Sequence, residues 1–360
     1  MIIYLCLSGH GFGHAARQAS IFRNLHLIKP HWQLVVSSSL EEKFLNLFFK
    51  DLPITYRSIK WDIGTIQNNA LSFDFDSTLI ELKKLHLNLD KSVQDESLWL
   101  KEKHQEVLIL ADIPPSAALL AKSINAPLIL IGNFGWDDIY RNIGEEFKEY
   151  TLSASDLYKQ ANFLIRCPFS SPMKWSLKQI SIGLTTSEPY KLPESFISKI
   201  NSIRKKKICI SFGGLGYKFD SSLFSKWSKF LFLIPSDGIK LESNLSPIEN
   251  ILYIPNNYRL LDVMPYCDRI ITKPGYSTLC EALTLKKGVH FVERSSFSEA
   301  ELLTNGLIKY GQYRLISTKD FEDGNWQLDQ PLKFSSKNRL SNNGAYQAAI
   351  EIIKYKESVS

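Results

Sequence analysis

Long hydrophobic runs are missing from this chain. Its 360 residues are 44% hydrophobic and 22% charged. No uninterrupted apolar stretch approaches the ~20 residues that a membrane-spanning helix needs. The N-terminus, MIIYLCL, lacks a basic leader and is too short for a secretory signal core. Cysteine is scarce, with only Cys6, Cys167, Cys209, Cys267 and Cys280, scattered and odd in number. That excludes a disulfide framework and a CxxC metal site, and predicts buried free thiols in a reducing, cytoplasmic compartment. Dense positive charge is also missing. The net charge is +6, and the one compact basic run, Arg204–Lys207, stands just before a strand pattern. It reads as the solvated approach to that strand, so no nucleic-acid partner is expected. Contact with a membrane surface stays open. Internal repeats and low-complexity tracts are absent.

What is present is a series of short apolar runs alternating with amphipathic stretches. Ile2–Leu7, Gln33–Ser38, Glu106–Asp112, Pro127–Gly132 and Asn162–Cys167 read as strands. Their apolar residues are continuous rather than alternating, so both faces should be covered, as in a parallel sheet. Helical patterns such as Ala15–Leu27 and Ser116–Ile124 lie between them. The series restarts with Lys206–Gly214, Lys229–Pro235, Asn250–Pro255, Arg269–Gly275 and Gly288–Arg294. Between the two series, Gly183–Phe196 is rich in proline, serine and threonine and reads as a linker. The stretch Gly344–Glu357 reads as a closing helix. The pattern predicts an α/β protein of two Rossmann-like, doubly wound domains facing across a cleft. The boundaries expected are 1–185 for the first domain and 186–340 for the second. Residues 341–360 form the C-terminal helix, with packing back on the first domain a further option.

Ligands of such sheets bind beyond the carboxyl ends of the strands, where this chain carries glycine. SGHGFGH, Ser8–His14, follows the first strand of the first series, and SFGGLG, Ser211–Gly216, follows the first strand of the second. A glycine-rich turn into a helix lets a ligand approach backbone amides and suits an anion. The spacing is not that of a dinucleotide fingerprint: His14 stands where a third glycine belongs, and the second strand closes in SSS without an acid. A histidine at such a helix start is placed to act as a general base. The competing reading is a histidine packed against the loop, and for His10 that reading is preferred.

Four other features stand out. In ITKPGYSTLCEAL, Ile271–Leu283, Ser277 or Thr278 can cap a helix that Glu281 joins about one turn later. Glu281 either binds the vicinal hydroxyls of a ribose or closes a capping box. Asp112 ends a strand, where it can orient a histidine base or cap the helix after Pro115. Asn133, Trp136 and Asp137 follow another strand end and are candidate acceptor contacts. Asp74-Phe75-Asp76 spells DxD, a metal–diphosphate motif elsewhere, but it closes no buried strand and has no accompanying ligand cluster. No metal and no cofactor is therefore expected.

Taken together, GHGFGHAAR, NFGWDDIY, FLIRCPFSSPM, SFGG, KPGYSTLCEAL and ERSSFSEAELL resemble a GT-B nucleotide-sugar glycosyltransferase. More narrowly, they resemble the glycosyltransferase-like N-terminal domain of plant-type arabinokinases, here without the kinase half. The resemblance covers most of the chain, in order. It implies transfer of a sugar from a nucleoside diphosphate, UDP by expectation, to an acceptor hydroxyl without a metal. It maps the first-domain loop, which faces the acceptor and the donor phosphates, to Gly11, Gly13 and His14, with Gly11 and Gly13 as donor contacts, and the donor diphosphate further to Gly213, Gly214 and the Gly275–Thr278 turn, with Tyr276 and Ser277. It maps the donor ribose to Glu281 and the donor sugar to Glu299. The related lipid glycosyltransferases commonly carry glutamines where this chain has SEAE, which leaves the sugar undefined. His14 is the expected base, with Asp112 behind it. A non-catalytic nucleotide-sugar-binding module and a nucleotide-sugar 2-epimerase are the alternatives.

Overall fold

The continuous apolar runs form the strands of two separate sheets. In the computed structural model of the chain, the described residues are 1–67, 73–213, 217–220, 222–236, 239–241, 249–294, 298–334 and 339–359. Two units emerge. One comprises Met1–Ile66, Asp74–Ser187 and Ser341–Ser360, the other Gln67–Phe73 and Glu188–Leu340.

The first unit contains β1 (Ile2–Leu7), α1 (Phe12–Ile28), β2 (Gln33–Ser37), α2 (Glu42–Phe49), β3 (Ile54–Arg57), α3 (Phe75–Lys101), β4 (Val107–Asp112), α4 (Ala117–Ser123), β5 (Leu128–Gly132), α5 (Trp136–Arg141), α6 (Lys148–Tyr158), β6 (Phe163–Arg166) and β7 (Gln179–Ser181). All seven strands pair in parallel, in the order β3-β2-β1-β4-β5-β6-β7. The strands β1, β4 and β5 are almost wholly buried because helices cover both faces.

The second unit contains α7 (Glu194–Ser202), β8 (Lys206–Ser211), β9 (Tyr217–Phe219), α8 (Ser222–Ser225), β10 (Phe230–Pro235), β11 (Ile239–Leu241), β12 (Ile251–Ile254), α9 (Leu260–Val263), β13 (Arg269–Thr272), α10 (Tyr276–Thr284), β14 (Gly288–Val292), α11 (Ser298–Tyr310), β15 (Gln312–Ile316), α12 (Thr318–Glu322) and β16 (Lys333–Phe334). Its main sheet runs β12-β10-β8-β13-β14-β15-β16, parallel except for β16, and β9 pairs with β11 apart from it. One core here is built largely on aromatic side chains. Phe212, Phe219, Phe224, Phe232, Phe321 and Trp326 pack together among buried isoleucines.

The last helix, α13 (Gly344–Ser358), packs on α1 in the first unit. The chain therefore leaves and re-enters that unit along neighbouring paths. Leu184 N donates to Ser341 O at 2.7 Å, and Gly344 N donates to Leu184 O at 3.0 Å. A Cβ on Gly183 would sit 2.4 Å from the Ser341 carbonyl oxygen, so only glycine fits that approach.

Two expectations change. The first helix begins at Phe12, not Ala15, so Gly13 and His14 lie in its first turn rather than in a loop. The linker expected to reach Phe196 gives way to α7 at Glu194. As expected, all five cysteines are buried, and none is joined in a disulfide. Among the described residues no helix is long and apolar enough to cross a membrane.

Candidate active site

In the first unit the strand order reverses between β1 and β4. In sheets of this kind the crevice beyond that reversal is where ligands bind. The register sets Leu7 beside Asp112, so the Ser8–Gly11 turn and the Asp112 carboxylate share one strand-end. At position 9 the chain passes close to Ser39, just beyond β2: a Cβ there would fall 2.2 Å from Ser39 Oγ, so a side chain would first have to turn that hydroxyl away. Gly11 caps α1 in an extended conformation, and among the described residues nothing lies within 4 Å of its missing Cβ.

Asp112 is the hub. It is fully buried and accepts from four donors: His14 Nδ1 (2.8 Å), Arg17 Nε (2.8 Å), Arg17 Nη2 (2.5 Å) and Gln18 Nε2 (2.6 Å). It therefore orients side chains of α1 and caps no helix, because both its oxygens are already engaged. Burial alone would raise its carboxyl, but the Arg17 guanidinium and His14 more than offset this and hold it well below the usual carboxylate range. An ionised carboxylate only accepts, so the His14 proton sits on Nδ1. Nε2, the acceptor nitrogen, has no hydrogen bond among the described residues. His14 is 8% exposed and packs edge-on against Phe134. Arg17 Nη1 also donates to Asn133 Oδ1 at 2.8 Å, bringing Asn133 into the same cluster.

Trp136 and Asp137 do not join it. Trp136 is wholly buried and offers no surface to an acceptor. Its indole Nε1 donates to Asp62 at 2.7 Å, and the His10 ring stands edge-on to it at 5.1 Å. Thr65 N donates to His10 Nδ1 at 3.3 Å, so His10 serves the packing of this wall. Asp137 accepts from Trp175 Nε1 at 3.0 Å. Asp62 was not legible in the sequence. It is 4% exposed, one carboxyl oxygen has no hydrogen bond among the described residues, and burial raises its pKa against the pull of Ser8, Trp136 and His14. Arg17 and Gln18, three and four residues after His14, could have been found from helical spacing, since they share its face.

The DxD stretch has a structural role at its first carboxylate. Asp74 is the N-cap of α3, accepting from Ser77 N at 2.8 Å, and Asp76 stands in the first turn. Among the described residues no group of three or more histidine, cysteine or acidic side chains could hold a metal ion.

In the second unit the order reverses between β8 and β13. Gly213, beyond β8, has φ +75°, a conformation that favours glycine, and among the described residues nothing lies within 4 Å of its missing Cβ. Gly214 lies outside the described residues. Gly275 is the N-cap of α10, and no side chain caps that end. Ser277 and Thr278 are therefore the second and third helical residues, not caps. Glu281 is the sixth, too deep for the capping box, whose acid stands third. Glu281 is 8% exposed, and burial pushes its carboxyl up to about 8, opposed by Arg259 and reinforced by Asp262. Arg259 and Asp262 form a buried pair that also holds the linker, through Glu188 O and Tyr190 N. Glu299 stands in the first turn of α11.

Two doubly wound units, each with its glycine turn at the strand reversal, define the GT-B architecture. The solved structures bear this out over nearly the whole chain. TcCGT1 in complex with UDP matches with a TM-score of 0.62 at 11% identity, covering 99% of each chain. The calicheamicin glycosyltransferase CalG4 matches at 0.60 and 11%, covering 100% of this chain and 99% of that one. The S. aureus MnaA–UDP structure matches at 0.60 and 15%, covering 100% and 97%. In sequence, the chain is 24% identical over 328 residues to the L-arabinokinase of Arabidopsis thaliana, 89% of this chain and 31% of that protein. It thus spans about a third of the length of the curated relative that it matches. No family model matches the chain.

Proposed function

We propose that the protein transfers a sugar from a nucleoside diphosphate, UDP by preference, to an acceptor hydroxyl, with His14 as the base. The observation that carries this reading is the His14–Asp112 pair: Nδ1 is held at 2.8 Å by a buried carboxylate, leaving Nε2 to accept a proton. The acceptor hydroxyl gives its proton to Nε2 as its oxygen bonds to the sugar's anomeric carbon. The bond from that carbon to the diphosphate oxygen breaks, and its electron pair leaves with the diphosphate. Such a base contributes roughly 10²–10⁴-fold to rate. Gly213 and the start of α10 would meet the phosphates with backbone amides and the positive helix end. The Glu281 carboxyl would accept from the ribose hydroxyls, and Glu299 would face the sugar. The GT-B likeness supports a sugar-transferring enzyme, and the names TcCGT1–UDP and MnaA–UDP support the choice of UDP.

A second reading is a nucleotide-sugar-binding module without turnover. The match to one third of a protein named L-arabinokinase favours it. A thermal-shift screen of nucleoside diphosphates and UDP-sugars comes first, followed by turnover against hydroxyl acceptors. Saturating UDP should stabilise the fold by roughly 2–4 kcal/mol. His14→Ala should lose about 10²–10⁴-fold in turnover and keep UDP affinity. Binding with no transfer to any acceptor would favour the module, and an epimer formed without acceptor would refute the transferase.

A further inference from the structure

One turn of α1 sends three side chains to a single carboxylate. His14, Arg17 and Gln18 stand at i, i+3 and i+4, on one helix face. All three reach Asp112, at the end of β4, from 94 to 98 residues away in the chain. The two oxygens are used differently. Oδ1 accepts from His14 Nδ1 and Arg17 Nη2, whereas Oδ2 accepts from Arg17 Nε and Gln18 Nε2. Of these donors, only Arg17 is forked over both oxygens. We propose that Arg17 is the positioning residue of the base: its fork keeps the Asp112 carboxyl ionised and so holds the His14 proton on Nδ1, leaving Nε2 to accept. That His14 is a base rests on the reading above; the state of the carboxyl does not.

The fork is itself fixed. Arg17 Nη1 donates to Asn133 Oδ1 at 2.8 Å, just beyond β5, so the guanidinium spans the ends of two strands. Arginine keeps its charge in proteins, so a cation always faces Asp112. The other donors to the carboxyl, His14 Nδ1 and Gln18 Nε2, belong to neutral side chains before any proton is transferred. A carboxyl without solvent exposure, held by neutral donors alone, favours its protonated form. Burial drives the Asp112 carboxyl up, and Arg17 is the strongest of the influences that bring it down, ahead of His14. Around the pair, α1 contributes His14 and Arg17, the end of β5 contributes the uncharged Asn133, and the segment after β3 contributes Asp62, whose carboxyl feels the charge of His14. A protonated Asp112 would undo the base in either place. With the proton on Oδ1, the carboxyl donates to Nδ1 and the ring carries its own proton on Nε2. With the proton on Oδ2, the carboxyl turns to Gln18, whose Oε1 has no hydrogen bond among the described residues. The imidazolium formed during transfer then faces a neutral acid.

¹³C NMR of the Asp112 carboxyl and ¹⁵N NMR of the His14 ring read both groups at neutral pH without any substrate. The wild type should show an ionised carboxyl and the Nδ1–H ring. Arg17→Met should show a protonated Asp112, and turnover should fall by about 10²-fold or more at unchanged UDP affinity. Arg17→Gln keeps a donor without the charge; it should read the same, and it replaces Arg17→Met should that variant not fold. Arg17→Lys restores the charge but not the fork. It should keep the carboxyl ionised and turnover within about tenfold of the wild type. A merely structural arginine would lower turnover together with the melting temperature and leave both spectra unchanged. In an Asp112→Asn background, Arg17→Met should cost no more than about threefold further, because no ionised carboxyl is left to keep. An ionised Asp112 in Arg17→Met or Arg17→Gln would overturn the proposal, as would an undiminished loss in the Asp112→Asn background. If the spectra change as expected but the wild type transfers sugar to no acceptor, Arg17 governs the carboxyl and the transferase reading falls. If the wild type transfers sugar and the spectra do not change, the transferase reading stands and the role of Arg17 falls.

Discussion

Replacing Asp112 with asparagine puts the proposed base to its hardest test, because the change is one atom and its consequences can be counted. Asp112 faces four donors with two acceptor oxygens. An amide keeps one oxygen and turns the other position into a donor. If the oxygen stays with Arg17 Nε and Gln18, the new NH₂ meets His14 Nδ1 and donates to it. The imidazole must then carry its proton on Nε2, where it cannot accept one from the acceptor hydroxyl. The loss should be about 10²–10⁴ in turnover, or roughly 3–5 kcal/mol of barrier. If the amide turns the other way, its NH₂ opposes Arg17 and Gln18. In both orientations the guanidinium, 2% exposed, loses the charge that offsets it. Breaking a buried pair in this way costs about 3–5 kcal/mol. The variant should therefore lose stability as well as rate, and the two must be separated. Turnover should be measured well below the melting transition, with UDP affinity as the control, since the main proposed donor contacts lie in the second unit. The expected result is a large loss of turnover at unchanged UDP affinity. Turnover within threefold of the wild type would refute the argument, because no tautomer of His14 would then depend on Asp112.

Glu281 gives a pH prediction. Its folded pKa, about 8, lies above the unfolded value near 4.5, so the folded state holds the proton longer. The stability tied to that proton is complete below about pH 4.5 and is lost as pH rises through 8, on the order of 4–5 kcal/mol in all. Glu281→Gln should gain stability over the wild type at pH 8 and little at pH 4.5; equal differences at both would show that Glu281 ionises normally. Glu281→Ala should weaken UDP by about 1.5–3 kcal/mol, and unchanged affinity would remove Glu281 from the ribose site. Asp74→Ala should cost about 1 kcal/mol of stability through the lost cap of α3 and leave turnover intact. Turnover should survive EDTA; restoration by Mg²⁺ or Mn²⁺ after loss in EDTA would bring Asp74 and Asp76 back as ligands.

The sequence by itself determined the architecture. Strands buried on both faces must be apolar at consecutive positions, so β1, β4 and β5 announce themselves, and the helical period between them makes the sheet parallel. Elements whose environment is mixed escaped this logic. The edge strand β3, ITYR, and the half-buried β15, QYRLI, carry polar side chains and show no apolar run. The long helix α3 buries Thr78, Glu96 and Ser97 alongside its leucines, which blurs its apolar face. The local motif also named His14 and Glu281, because glycine turns and strand ends are read over a few residues. What only the tertiary structure decided is who meets whom. His14 and Asp112 are 98 residues apart, and it is the pairing of β1 with β4 that closes the distance. The same is true of Asp62 under Trp136. Glu281 owes its raised pKa to the burial of its carboxyl, and the last helix belongs with the first unit because α1 offers it a face. Periodicity is a property of neighbours in the chain, whereas charge, burial and hydrogen bonding belong to neighbours in space, and only the register of the folded sheets makes the second set from the first.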